Sequence, residues 1–285
     1  MTEHAHHHHA GHSHDVGLAE LLTLDAQVLG SYVDAATQWA SQLAPTTPGT
    51  IVDVGAGSGA GTLALARRFP QAELVAVDKS AGMLSHTLEA ARGAGVSARL
   101  RTVEADLDAA WPGIGAADLI WAASSLHELA DPERTMADMF AALNPGGLLV
   151  VIEMDGLPRF LPDDFPQGGT ADGGSLRPGL ESRLHAALAQ KDWNPHPDWQ
   201  PGLVRAGFAL VEQRNFPTAA GPTPELAARY ARTFLGRIRP ALEGIADPGD
   251  LAALDVLLSA GPGALLNTAA LEVRGSRTAW AARKA

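Results

Sequence analysis

The chain has 285 residues, enough for one elaborated domain or a domain with a lid. Its 46% hydrophobic and 19% charged residues make a foldable globular balance, and 21 Lys and Arg against 32 Asp and Glu give a net charge of -11. That charge argues against broad contact with nucleic acid or an anionic bilayer, and the lack of cysteine excludes disulfides, thiolate zinc sites and cysteine nucleophiles.

Residues 4 to 14 hold seven of the eleven histidines among Ala, Gly and Ser, so residues 1–17 read as a disordered tail able to bind transition metals nonspecifically. From 18 to 48, Leu21, Leu24, Val28, Tyr32, Trp39 and Leu43 recur at helical spacing and predict one or two lid helices, stopped by Pro45 and Pro48. Strands are then expected at Ile51–Val54, Leu74–Val77, Ala98–Val103, Asp118–Ala122 and Leu148–Ile152, with helices at Ala60–Phe69, Ser80–Arg92 and Pro132–Leu143 between them. Such alternation predicts a doubly wound, mostly parallel α/β sheet.

Residues 156–202 carry seven prolines and seven glycines in 47 positions, with one helical stretch at Leu180–Gln190. They read as a lid or substrate segment that offers Trp193, His196 and Trp199. Residues 203–285 return to the sheet through strands near Phe208–Phe216 and Leu271–Ala282, around a helical cap at about 224–260. The start of the chain lacks a basic-then-apolar leader pattern, and the run Val256–Leu271 is too short and too broken by Gly261, Pro262 and Gly263 to span a bilayer. A cytoplasmic protein with no membrane partner is the expectation.

The chemistry is concentrated in Ile51-Val52-Asp53-Val54-Gly55-Ala56-Gly57-Ser58-Gly59-Ala60-Gly61, an apolar strand running through a glycine-rich turn into a helix. Glycines there allow a sharp bend and close approach of a ligand to the backbone. A loose dinucleotide fingerprint is also satisfied, so the turn alone does not choose a ligand. The context narrows the choice. Asp53-Val54-Gly55-Ala56-Gly57-Ser58-Gly59 resembles the first motif of the class I S-adenosylmethionine-dependent methyltransferases. Val77-Asp78-Lys79-Ser80-Ala81-Gly82-Met83-Leu84, Glu104-Ala105-Asp106-Leu107, Asp118-Leu119-Ile120-Trp121-Ala122 with Ser125-Leu126-His127, and Leu143-Asn144-Pro145-Gly146-Gly147 resemble its later motifs in order.

The resemblance implies a Rossmann-like seven-stranded sheet with an antiparallel last strand, S-adenosyl-L-methionine as cofactor and S-adenosyl-L-homocysteine as product. It places Gly55, Gly57 and Gly59 against the cofactor's amino-acid end, with Asp53 orienting that turn or meeting the cofactor's ammonium directly or through water. Asp78 would bind the ribose diol, with Lys79 beside it, and Asp106 the adenine amine between the apolar faces of Met83 and Leu107. Trp121 would shape a cofactor or substrate wall. His127 is the candidate general base or substrate contact for a small-molecule acceptor, with Glu128, Glu153 and Asp155 as weaker candidates. Arg229, Arg232, Arg237 and Arg239 on one cap helix either attract an anionic substrate or form a solvated face. No metal site is expected in the fold, and a homodimer is an open option. The competing readings are a nicotinamide-dependent oxidoreductase, which also wants an acid near Asp78, and a noncatalytic cofactor- or metal-binding protein.

Overall fold

The computed structural model describes residues 6–44, 46–162, 178–191, 197–217, 223–261, 264 and 271–285. Seven strands form one sheet in the order β3-β2-β1-β4-β5-β7-β6: β1 Thr50–Val54, β2 Glu73–Asp78, β3 Leu100–Glu104, β4 Ala117–Ala123, β5 Leu143–Met154, β6 Ala209–Pro217 and β7 Ser276–Arg283. The first five pair in parallel, and β7 inserts antiparallel between β5 and β6. The central strands are apolar on both faces, as a sheet covered on both sides requires. Ile51, Leu119, Trp121, Val150 and Ile152 face one layer, and Val52, Ile120, Val151 and Trp280 face the other.

The first layer is built from α1 His6–Leu43, α2 Ala60–Arg68 and α3 Ala81–Gly93. The opposite layer holds α4 Pro132–Ala142 and α6 Gln200–Arg205. Asp131 caps α4 by accepting from the Arg134 N–H at 3.0 Å, and Pro132 follows at the first turn, where a missing N–H costs nothing. No helix was expected at α6, whose first residues fall in the segment read as a lid ending at residue 202. The helix packs instead on α4 and β6, and Trp199 and Leu203 join the core of the sheet, so the sandwich resumes a few residues earlier than composition indicated.

A second core lies beside the sheet. The middle of α1 packs with α5 Leu180–Ala189, α7 Pro224–Ile238 and α8 Pro248–Leu258 around Phe160, Tyr230, Phe234 and Leu254. Phe160 meets the Tyr230 ring edge-on at 5.2 Å, and losing such a buried ring costs about 3–5 kcal/mol. α1 is one helix from His6, whereas a tail to residue 17 followed by one or two helices was expected. No proline interrupts positions 6–43, and a helix already nucleated by its packed half propagates cheaply through Ala and His. Residues 1–5, Trp193 and His196 lie outside the described residues.

Candidate active site

The carboxyl ends of β1, β2 and β4 meet around the glycine turn. Gly55 has φ 68° and Gly59 φ 88°. A Cβ on Gly55 would lie 2.5 Å from the Ser125 Cβ, and one on Gly59 would lie 3.0 Å from the Thr87 Cα. Glycine is therefore demanded both by backbone conformation and by close packing against β4 and α3. The turn is anchored: the Gly55 and Ala56 N–H groups donate to the Val77 carbonyl at 2.8 and 3.1 Å. The Gly57 N–H donates to Asp78 Oδ2 at 2.9 Å, and the Thr87 hydroxyl donates to the Gly57 carbonyl at 2.9 Å.

Asp78 ends β2, half-buried, and its Oδ1 accepts from the Ser80 N–H at 2.9 Å. A carboxylate accepts about four hydrogen bonds, so lone pairs remain on both oxygens for a diol. Ser80 caps α3 by accepting from the Met83 N–H, which fixes the buried Met83 beside Asp78. Leu107 is buried near the same strand ends and packs with Val77 and Val103. Asp106 and Lys79 are exposed, and Asp106 Oδ1 accepts from the Asp108 N–H at 3.0 Å.

Asp53 and Trp121 are both buried. Asp53 is buried and accepts from the Thr62 hydroxyl at 2.5 Å, which ties β1 to α2. Burial pushes its carboxyl up to about 6, the Thr62 hydrogen bond opposes that, and Asp78 adds to it. Trp121 lines no cleft. It is fully buried among Trp39, Leu65 and Leu119, because strand alternation turns it toward the α1–α2 layer, while Ile120 and Ala122 face the other.

β4 leaves the sheet through Ser124, a nonglycine residue at φ 52°, a strained conformation that concentrates at functional sites. The buried Ser125 hydroxyl beside Gly55 has no hydrogen-bond partner among the described residues. His127 follows in a single 3-10 turn, Leu126–Glu128. Its Nδ1 lies 2.7 Å from Glu153 Oε2, and its Nε2 lies 3.4 Å from Glu128 Oε1. Glu153, buried at the end of β5, also accepts from the Leu126 and His127 N–H groups through Oε1. Burial works against charge on the imidazole, but Glu128 and Glu153 outweigh it and push its pKa up to about 9. The hydrogen bond to His127 in turn lowers Glu128, with smaller help from Lys79 and Arg237. Asp155 instead ties the strand ends together, accepting from Asn215 at 2.6 Å and from the Thr278 hydroxyl at 2.5 Å.

Sequence gave no hint of a second polar group. Asp25 of α1 accepts from the Tyr230 hydroxyl of α7 and from Arg277 of β7, each at 2.6 Å, and the Arg277 guanidinium lies over the Tyr32 ring at 4.3 Å. Burial raises the Tyr32 pKa, Arg277 opposes it, and Asp25, Glu153 and Asp53 add to it. Two cap arginines are structural: Arg229 pairs with Glu20, and Arg239 with Asp255 and Glu243. Past His127 a cavity of about 330 Å3 opens between the 3-10 turn, α4 and the start of α6. Among the described residues no group of three or more His, Asp or Glu is placed to hold a metal ion, and no helix is long and apolar enough to cross a membrane.

Residues 51–147 match a family described as a methyltransferase domain. A trans-aconitate 2-methyltransferase of Deinococcus radiodurans is 37% identical over 222 residues, covering 68% of this chain and 80% of that protein. The chain belongs to the class I S-adenosylmethionine-dependent methyltransferases. A second trans-aconitate 2-methyltransferase, from Variovorax paradoxus, is 36% identical over 129 residues. There the match covers 42% of this chain and 46% of the relative, so the chain spans about half the length of several curated relatives it matches. Among solved structures, a Bacillus halodurans protein described as a methyltransferase aligns with a TM-score of 0.53 at 16% identity, over 88% of this chain and 99% of that one, a likeness of fold. This methyltransferase fold brings Gly55, Gly57, Gly59, Asp78 and Met83 to one edge of the sheet. The positive-φ turn and the lone pairs of Asp78 fit the family's cofactor.

Proposed function

We propose that this chain transfers the methyl group of S-adenosyl-L-methionine to a nucleophilic atom of a small-molecule acceptor. One observation carries the reading: the turn Gly55–Gly59, held by the carboxylate of Asp78, stands beside the Ser125–His127 segment, whose imidazole is clamped by Glu153. When bound, the cofactor supplies an electrophilic methyl on a sulfonium centre. Asp78 would bind the ribose diol, Met83 and Leu107 would flank the adenine, and Asp106 would accept from its amine. Asp53 holds the turn through Thr62 and β1.

His127 has a defined job under this reading. Glu153 fixes the ring through Nδ1, so Nε2 is the atom offered to an acceptor, in the place of the exposed Glu128 carboxylate. With its pKa near 9, the ring is an imidazolium at neutral pH. Two carboxylates and one imidazolium sum to one negative charge, which suits a neighbouring sulfonium. If His127 takes the acceptor proton, its working form grows as pH rises toward 9. Proximity and orientation supply the rest of the rate. The net charge of -11 supports a protein without a nucleic-acid partner.

Calorimetric titration with S-adenosylhomocysteine tests the cofactor, followed by turnover assays that begin with trans-aconitate, the acceptor named for the relatives. Binding of S-adenosylhomocysteine and not of NAD or NADP is expected. A folded protein that binds a dinucleotide instead would move the chain to the oxidoreductase reading.

A further inference from the structure

The cavity next to His127 differs in character from the cofactor edge. Its apolar wall is made by Leu126, Leu129, Pro132, Met136 and Trp199, and its volume of about 330 Å3 falls in the range of small-ligand sites. It shares His127 with the proposed methyl-transfer site, and it begins immediately after Ser125, whose Cβ packs against Gly55. The charged groups on its wall besides His127 are Glu133, Asp198 and Arg205. Arg205 is already ion-paired with Glu133. Asp198 accepts from the Trp280 indole N–H at 3.1 Å and from the Gln200 N–H at 3.0 Å, bonds from neutral donors that leave its charge uncompensated. Glu128 and Glu153 both contact the His127 ring, at Nε2 and Nδ1 respectively. The cations acting on Glu128, Lys79 and Arg237, are not part of the cavity wall.

Four carboxylates thus surround two cations, and both cations are engaged. A ligand bearing several carboxylates would meet net repulsion here and find, among the described residues of the wall, no open arginine fork to bind. We infer that this cavity is the acceptor site, and that it takes a largely apolar, neutral or cationic molecule, such as a phenol or an aromatic amine, rather than a polycarboxylate. The inference rests on the methyltransferase reading. It departs from the acceptor in the relatives' names, and residues 197–205 of this wall lie outside the matched methyltransferase domain at 51–147.

The test uses the full chain saturated with S-adenosylhomocysteine and titrated by calorimetry with a set of substituted phenols and anilines and, in parallel, with trans-aconitate. Two variants narrow the cavity from opposite walls. In Gly202→Ala the new Cβ would sit 2.5 Å from Met136 Cε, the mobile end of a side chain that also lines the cavity. Leu129→Phe fills it from a partly exposed position, should the first variant fold poorly. Binding of phenols or anilines, weakened at least tenfold in either variant while S-adenosylhomocysteine affinity stays within twofold, is the expected result. Glu133→Gln frees Arg205 and should improve trans-aconitate binding severalfold. Tighter binding of trans-aconitate than of any phenol or aniline would overturn the proposal, as would phenol and aniline binding that ignores both variants, or no binding by either class. Loss of S-adenosylhomocysteine binding in the parent protein would sink the methyltransferase reading itself, a separate outcome.

Discussion

The proposed cofactor edge and the proposed acceptor edge of this sheet are built by opposite strategies. At the carboxyl ends of β1 and β2 the backbone does most of the work: a turn of positive-φ glycines is held by Val77 and Asp78 through its own N–H groups, along a stretch of a few residues. At the ends of β4, β5 and β7 the work falls to side chains far apart in the chain, such as His127 with Glu153, and Asp25 with Tyr230 and Arg277. A backbone site tolerates change in its surroundings. A site of buried, mutually compensating charges fails when one member is lost.

The sharpest way to break this comparison is Asp25→Ala. It strands the buried Arg277 without its carboxylate, and removing one partner of such a pair costs about 3–5 kcal/mol. At roughly 2–4 °C per kcal/mol, a drop of about 10 °C in Tm follows, visible in a thermal melt. If Tm is unchanged, the cap is not held to the sheet through this group.

The pH dependence of stability separates the two edges next. The Asp53 carboxyl is raised from 3.8 to about 6, so the folded state binds its proton more tightly than the unfolded chain. The resulting stability is full below pH 3.8 and is lost as pH rises through about 6, by about 3 kcal/mol at 1.36 kcal/mol per pKa unit. Asp53→Asn should flatten that window in denaturant melts taken between pH 4 and 7. His127, raised from 6.5 to about 9, contributes stability that is present below 6.5 and lost as pH climbs through 9. Glu153→Gln should move the upper step toward 6.5 and leave the Asp53 step in place, so one pH series reads both edges.

Cofactor affinity gives a smaller effect. Asp78→Ala removes the carboxylate that holds Gly57 and is proposed to bind the diol, and lost charged hydrogen bonds of this kind cost about 1.5–3 kcal/mol. The Kd for S-adenosylhomocysteine should rise roughly 10- to 100-fold in calorimetry, whereas Asp25→Ala, measured well below its Tm, should leave it nearly unchanged. The smallest effect belongs to the cap surface. Arg229→Ala breaks an exposed ion pair with Glu20, and such pairs contribute about 0–1 kcal/mol, so Tm should move by no more than a few degrees.

The order of strands and helices from β1 to β5 was legible in the sequence because periodicity and glycine turns are local signals, and the same local character made Gly55, Gly57, Gly59 and Asp78 stand out as candidates. Each of these residues acts through its own strand end, so its neighbours in sequence are its neighbours in space. Trp121 was misread because a tryptophan on a strand beside a motif can face either layer, and only the packing of α1 and α2 over that layer decided which. The extension of α1 back to His6 was set by propagation from a packed helix and not by the composition of the segment.

What the sequence by itself determined is therefore the parallel α/β core and the cofactor edge, since short stretches of residues encode both. Tertiary structure alone decided the acceptor edge. The partner of His127 lies 26 residues away, Asp25 meets Tyr230 and Arg277 across 205 and 252 residues, and the cavity closes only when α6 packs on α4. Charges separated that far along the chain compensate one another only after the fold has excluded water between them, and no periodicity announces that in advance.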